Sequence, residues 1–264
     1  MKYLIVTADD FGLTKSINEG IALAYTEGIV TCAGIIPAGE AFEDALERAS
    51  KAGIKEITAH LALTEISPTL KTGKFYKGRK SFLADLFLGR IKKDAIYSEL
   101  KNQMEILKKA RIRIAAMSSH EHLHMVPPVL EIFICLAKEY AIPSIRYPRR
   151  ERSASFGFGK LYRTAVVSYL EKGMARLLDK ADIKYTDHFL GFLDSGNLTE
   201  ELLVKMLGSV EEGTTELVAH PGFLGPQILD RYRFHINCER ELAALTSRRV
   251  MKAVEDNRIN LKGR

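Results

Sequence analysis

The sequence predicts a single-domain α/β protein whose parallel strands form a barrel or barrel-like sheet, with an open doubly wound sheet as the alternative. Three observations predict it. Apolar runs of strand type alternate with stretches of helical spacing along the whole chain. About seven such strands fit within the 264 residues, with no linker-like segment and no internal repeat. Histidines and aspartates collect where those strands end, and strand C-termini are where parallel α/β folds build their ligand sites.

Leu4 to Ala8 is the opening strand, and it stops at Asp9-Asp10-Phe11-Gly12. Thr14 or Ser16 can cap a following helix, with Ile17, Ile21, Ala24 and Tyr25 at helical spacing and Gly28 as the stop. Ile29 to Ile36 reads as a buried strand ended by Pro37. A helix over 40–52 places Phe42, Ala45, Leu46 and Ala49 on one face, and Ile54 to His60 is the third strand. The alternation then breaks. Residues 61–93 hold Pro68, Gly73, Gly78, Gly89 and many basic side chains, a length that suits a lid or substrate-binding excursion as well as a plain surface insertion.

A helix over 94–110 (Ile96, Leu100, Met104, Leu107) leads to a fourth strand, Ile112 to Ser119. Pro127 and Pro128 open a helix to about Tyr140, as proline in a first turn does. Ser144 to Tyr147 is a short strand stopped by Pro148, and 149–163 is a second, basic excursion. Helix fills 161–181, Ile183 to Asp187 is a strand, and Thr199 caps a helix to about Ser209. Glu216 to Ala219 is a late strand ending at His220-Pro221-Gly222; a helix over 237–256 and a short strand, Ile259 to Leu261, complete the chain.

Composition narrows the function. The chain is 46% hydrophobic and 27% charged, which suits a folded domain with a sizeable core rather than disorder. The net charge of +6 is moderate and reads as a basic solvated surface more readily than a nucleic-acid site. Cys32, Cys135 and Cys238 lie too far apart to suggest a disulfide framework or a cysteine zinc site. No apolar run approaches the roughly 20 residues of a membrane span, and the Met1-Lys2-Tyr3 start lacks the features of a signal peptide, so a cytoplasmic location is expected by default. No Gly-x-Ser-x-Gly serine-hydrolase elbow and no Gly-x-Gly-x-x-Gly after a strand is present.

Two adjacent carboxylates at a strand end repel each other unless a cation or a shared proton relieves them, so Asp9-Asp10 suggests a metal-dependent hydrolytic site. Of seven histidines, His60, His120, His122, His124 and His220 close a strand or lie just past one, and His188 follows another. If Ser119-His120-Glu121-His122-Leu123-His124 turns into a loop or helix, one or two of its histidines can ligate and the rest can orient the ligands. A His/His/carboxylate set with open positions is the pattern of a catalytic ion and suits zinc or another first-row metal, with magnesium as the other candidate. Asp9 or Asp10 fits a general base, His220 a general acid, and Arg146 a partner that keeps the base ionised. Asp187-His188 suits a structural or orienting role.

Seven stretches together resemble the YdjC family of carbohydrate deacetylases, whose best-known members are chitooligosaccharide deacetylases. They are Thr7 to Gly12, His60 to Glu65, Ser119 to His124, Arg146-Tyr147-Pro148, Thr186 to Phe189, Ala219 to Gly222, and Arg240-Glu241-Leu242 with Leu245-Thr246-Ser247. The resemblance covers nearly the whole chain. It implies a distorted (β/α) barrel related to polysaccharide deacetylases, one divalent ion (Mg or Zn) held by Asp10, His60 and His124, Asp9 as base, and His220 in the late His-Pro-Gly. Two positions depart from the family's pattern: Ser118 stands where an aspartate is usual, and Arg150 where an acid often follows.

The expected function is metal-dependent removal of the acetyl group from N-acetylated amino sugars or chitooligosaccharides. The expected partner is thus a small N-acetylated sugar or oligosaccharide, with no nucleic acid and no membrane; a homodimer is left open. The alternative is a carbohydrate- or nucleic-acid-binding protein on the same scaffold with a degenerate site. A phosphoesterase is less well matched, because carboxylates are too sparse for a two-metal centre.

Overall fold

The computed structural model describes residues 1–149, 151 and 158–264. Of the excursion expected over 149–163, residue 150, the site of the arginine departure, and residues 152–157 fall outside them, and 158–163 belong to a helix. The elements run β1 (Lys2–Phe11), α1 (Lys15–Glu27), β2 (Cys32–Ile35), α2 (Phe42–Ala52), β3 (Ile57–Leu61), α3 (Arg79–Phe87), α4 (Lys93–Lys109) and β4 (Ile114–Ser119). After a tight turn over His120–Met125 come α5 (Pro127–Glu139), α6 (Phe158–Ala181), β5 (His188–Leu190), α7 (Glu200–Gly208) and β6 (Gly213–Ala219). The chain ends with α8 (Pro226–Asp230), a short turn of helix over Arg233–Asn237, α9 (Cys238–Leu245), α10 (Arg248–Asp256) and β7 (Ile259–Leu261).

All strand pairings are parallel, in the order β4-β3-β2-β1-β6-β5. β6 runs along one edge of β1 from Lys2 to Ala8, while the other edge is shared between β7 (Lys2↔Ile259) and β2 (Thr7↔Cys32). Beyond β4 the sheet continues through single bridges, Met117↔Ile145 and Ser144↔Lys184. The stretch from Lys184 to Leu190 therefore touches one end of the sheet at its start and pairs with β6 at its finish, so the sheet curls into a distorted barrel.

The period of two in a strand sorts residues between two environments. Leu4, Val6 and Ala8, Ala33 and Ile35, Ala59 and Leu61, and Leu217 and Ala219 join the helix-covered apolar core. The alternate positions Thr7, Asp9, Thr58, His60, Ser118 and Glu216 are equally buried yet polar. The barrel thus has an apolar outer shell and a polar, charged interior.

Local chemistry fixes the ends. Thr14 caps α1 by accepting from Ile17 N at 3.2 Å. Asn18 accepts from Gly12 N at 2.6 Å and donates to Ala41 O at 2.9 Å, pinning the loop that follows β1. The helix expected over 237–256 is two helices, because Ser247 starts a new one by accepting from Arg249 N. The strand expected at 183–187 is displaced to His188–Leu190, since Asp187 instead accepts from Thr214 N at 2.8 Å. No helix among the described residues is long and apolar enough to cross a membrane.

Candidate active site

Asp9 points into the barrel and meets Arg146, which comes after α5 and is held beside β4 by its own N–H donating to Met117 O at 2.9 Å. The guanidinium takes both carboxylate oxygens, Nη1 to Oδ2 at 2.6 Å and Nη2 to Oδ1 at 2.9 Å. Its Nε donates to Glu216 Oε1 at 2.9 Å, and Thr7 Oγ1 donates to the same oxygen. Arg264 forms an ion pair with the other Glu216 oxygen. Two carboxylates face two guanidiniums, so the buried network is neutral, the condition under which charges survive burial. Burial alone would push the Asp9 carboxyl up, but the Arg146 guanidinium, helped by His60, holds it well below the usual carboxylate range. Gly34 makes room for it: a Cβ at that position would lie 2.4 Å from Asp9 Oδ1.

Asp10 faces a different set of partners. Its backbone is left-handed, φ +69°, which turns its carboxylate out of the strand's alternation. Three imidazoles converge on it: His120 Nδ1 at 2.9 Å and His60 Nε2 at 3.4 Å from Oδ1, and His235 Nε2 at 3.1 Å from Oδ2. Ser118 Oγ, 2.7 Å from His60 Nδ1, occupies that ring's other nitrogen, so the serine at the departure position orients the histidine. Burial raises the Asp10 carboxyl, yet the His120 charge and hydrogen bonds from the surrounding rings drive it well below its ordinary value. Burial lowers His120, but Asp10 and then Glu65 raise it well above the ordinary imidazole range.

One ligand atom each from Asp10, His60 and His120 lies within 4.8 Å of the others, a grouping able to hold a metal ion. This differs from the expected set at one position: His120, not His124, joins Asp10 and His60. His124 is buried with both ring nitrogens engaged. Nδ1 faces Ser119 N at 3.2 Å and Ser119 Oγ at 2.7 Å, and Nε2 lies 3.2 Å from Arg146 O. Burial and the nearby Arg146 guanidinium lower it to about 3. The cause is the turn: Glu121 and His122 are both left-handed, φ +53° and +54°, which sends His120 and His124 in different directions.

The strain is localised. Eight described non-glycine residues have positive φ. Arg111, Ala141, Asp182 and Arg258 lie within two residues of a helix end, where left-handed residues are ordinary. The other four, Asp10, Glu65, Glu121 and His122, all line one cavity of about 160 Å³. Strain of this kind persists where the surrounding structure enforces it and marks functional sites.

His220 enters the same cavity from the end of β6. Its N–H donates to Glu241 Oε2 at 2.6 Å, its ring packs edge-on against Phe234 at 4.9 Å, and its Nδ1 has no partner. Burial lowers the imidazole to about 4, so it is neutral at neutral pH. Glu65 and Arg79 of the 61–93 excursion also reach the cavity, which supports the lid-like alternative for that segment. Asp187 and His188 lie elsewhere, bonding Thr214 N and Glu212 O respectively.

The donors suit a divalent ion: a buried carboxylate, two imidazoles on one point, and an Asp10 Oδ2 with no well-aligned hydrogen bond. His235 and Glu65 are the site residues that sequence reasoning missed. His235 lies in a short turn remote from any strand end, and only its place shortly after His220-Pro221-Gly222 hinted at it.

Known proteins resemble this chain along nearly its whole length. A carbohydrate deacetylase of Thermoanaerobacter pseudethanolicus is 30% identical, aligned over 99% of this chain and 97% of its own. One from Brevibacillus brevis is 28% identical over 98% and 96%. A crystal structure from Enterococcus faecalis, of a protein provisionally named for cellobiose-phosphate cleavage, superposes with a TM-score of 0.80 at 25% identity, covering 99% of this chain and 97% of that one. The family model described as YdjC-like protein matches residues 3–256. The chain therefore belongs to the YdjC-like family, as an enzyme of the hydrolase class.

Proposed function

We propose that the protein is a metal-dependent carbohydrate deacetylase that removes the acetyl group from an N-acetylated amino sugar or short oligosaccharide. The convergence of Asp10, His60 and His120 beside the Asp9–Arg146 pair carries this reading. Its relatives' shared name supports the substrate class. Asp10, His60 and His120 would hold the ion, and two imidazoles favour zinc or another first-row metal over magnesium. Such an ion supplies polarisation of the amide carbonyl and acidification of water.

The chain's own residues handle the protons. Arg146 keeps Asp9 ionised, so its carboxylate is the acceptor for the proton of the attacking water. His220, neutral with an unpaired Nδ1 and lining the same cavity, would first take up that proton from Asp9 and then hand it to the departing nitrogen. Phe234 and the backbone bond to Glu241 fix the orientation of His220. Acetate release from a panel of N-acetylated sugars, with and without chelator, tests the assignment. Chelator-sensitive release supports it; no release from any of them, with metal restored, rejects it.

A further inference from the structure

The cavity holds a carboxylate that this mechanism does not use. Glu65 sits at the start of the 61–93 excursion, four residues past β3, in a left-handed conformation of φ +62°. Its N–H donates to Tyr76 O at 2.7 Å, so the excursion folds back and holds the strained residue in place. Its Oε2 lies 2.9 Å from His120 Nε2, while Nδ1 of the same ring lies 2.9 Å from Asp10 Oδ1. The side chain is one-third exposed, whereas His120 is buried. One imidazole thus spans from the ion-binding group to a carboxylate on a surface segment.

We propose that Glu65 is a positioning residue for His120, and that through it the 61–93 excursion sets the affinity of the metal centre. A carboxylate accepting from the outer nitrogen of a ligating imidazole fixes its tautomer, fixes the ring plane and makes the inner nitrogen a better donor. Here it would place the proton on Nε2 and leave the Nδ1 lone pair facing Asp10 and His60. His60 receives the same service from Ser118, a neutral group within the barrel wall. His120 alone depends on a side chain from the excursion, so displacement of that segment would loosen the ion. Arg79, at the start of α3 in the same excursion, also lines the cavity, so the segment meets the site at two points.

The inference rests on Asp10, His60 and His120 holding the ion, and its test separates the two. Co²⁺ is titrated into metal-free protein, with absorbance reporting imidazole ligation, for the unaltered chain, Asp10→Asn, Glu65→Ala and Glu65→Gln; thermal melting of the metal-free forms monitors folding. Glu65→Ala is expected to weaken Co²⁺ binding by roughly 10- to 100-fold without a matching change in melting temperature. Glu65→Gln, which keeps an acceptor, is expected to recover much of that loss. Unchanged affinity in Glu65→Ala, or equal weakening in both variants, overturns the positioning role. Failure of the unaltered chain to bind Co²⁺, or unaltered binding in Asp10→Asn, overturns instead the assignment of the ion site.

Discussion

Arg146 holds Asp9 by both carboxylate oxygens, at 2.6 and 2.9 Å, in a place where neither side chain reaches solvent. A bidentate guanidinium–carboxylate pair fixes both position and ionisation state. Arg146→Met would leave Asp9 and Glu216 buried with less positive charge to balance them. Breaking one partner of a buried pair costs about 3–5 kcal/mol, so the variant should melt well below the parent and release no acetate. Chemical denaturation with an acetate assay checks both; a variant as stable and active as the parent contradicts the network.

Asp9→Asn separates catalysis from metal binding. The substitution removes the proposed proton acceptor but leaves Asp10, His60 and His120 in place. Acetate release should fall to background while the protein still takes up one ion. Turnover at the parent rate would reject Asp9 as the base.

His120→Ala and His124→Ala should behave differently. The first removes a member of the Asp10 group and should abolish tight metal binding. The second opens a hole beside Phe133 and frees Arg146 O and Ser119, so it should destabilise the fold by on the order of 2–4 kcal/mol while retaining the ion. Metal content after dialysis distinguishes them, and loss of metal only in His124→Ala would contradict the assignment.

The metal-free protein should show a bell-shaped dependence of stability on pH. Asp9, Asp10 and Glu216 are held below the ordinary carboxylate range, so their contribution is present above about pH 4 and is lost as pH falls through their folded values. Glu241 works in the opposite sense. Burial raises it to about 7, so its contribution is full below its unfolded value and disappears as pH rises through 7. His124 and His220, lowered by burial to about 3 and about 4, contribute stability above the ordinary imidazole value that is lost as pH falls below it. Melting temperatures should therefore be highest between about pH 6 and 7; a maximum above pH 8 would contradict these shifts.

Much of the site was legible because strand ends concentrate chemistry. Asp9, Asp10, His60 and His220 announce themselves as polar residues terminating apolar runs. Arg146, which pairs with Asp9, was recognisable for the same reason. The alternation of Val6, Thr7, Ala8 and Asp9 even carries the distinction between core and barrel interior, since both faces are buried but only one is apolar. That His120 rather than His124 lies beside Asp10 and His60 was not legible. It depends on two consecutive left-handed residues, Glu121 and His122, and neither is a glycine that would have signalled such a turn. His235 and Glu65 were hidden because each arrives on a connection, whose path depends on packing rather than periodicity. Ser247 broke a helix that spacing alone made continuous.

The central claim is that one ion sits among Asp10, His60 and His120. The most direct measurement is anomalous X-ray scattering from crystals of the zinc-loaded protein, collected at the zinc edge. The account predicts a single strong peak roughly 2.0–2.2 Å from a carboxylate oxygen of Asp10, Nε2 of His60 and Nδ1 of His120. No peak in the cavity, or one bonded to His124 with His120 turned away, would contradict it.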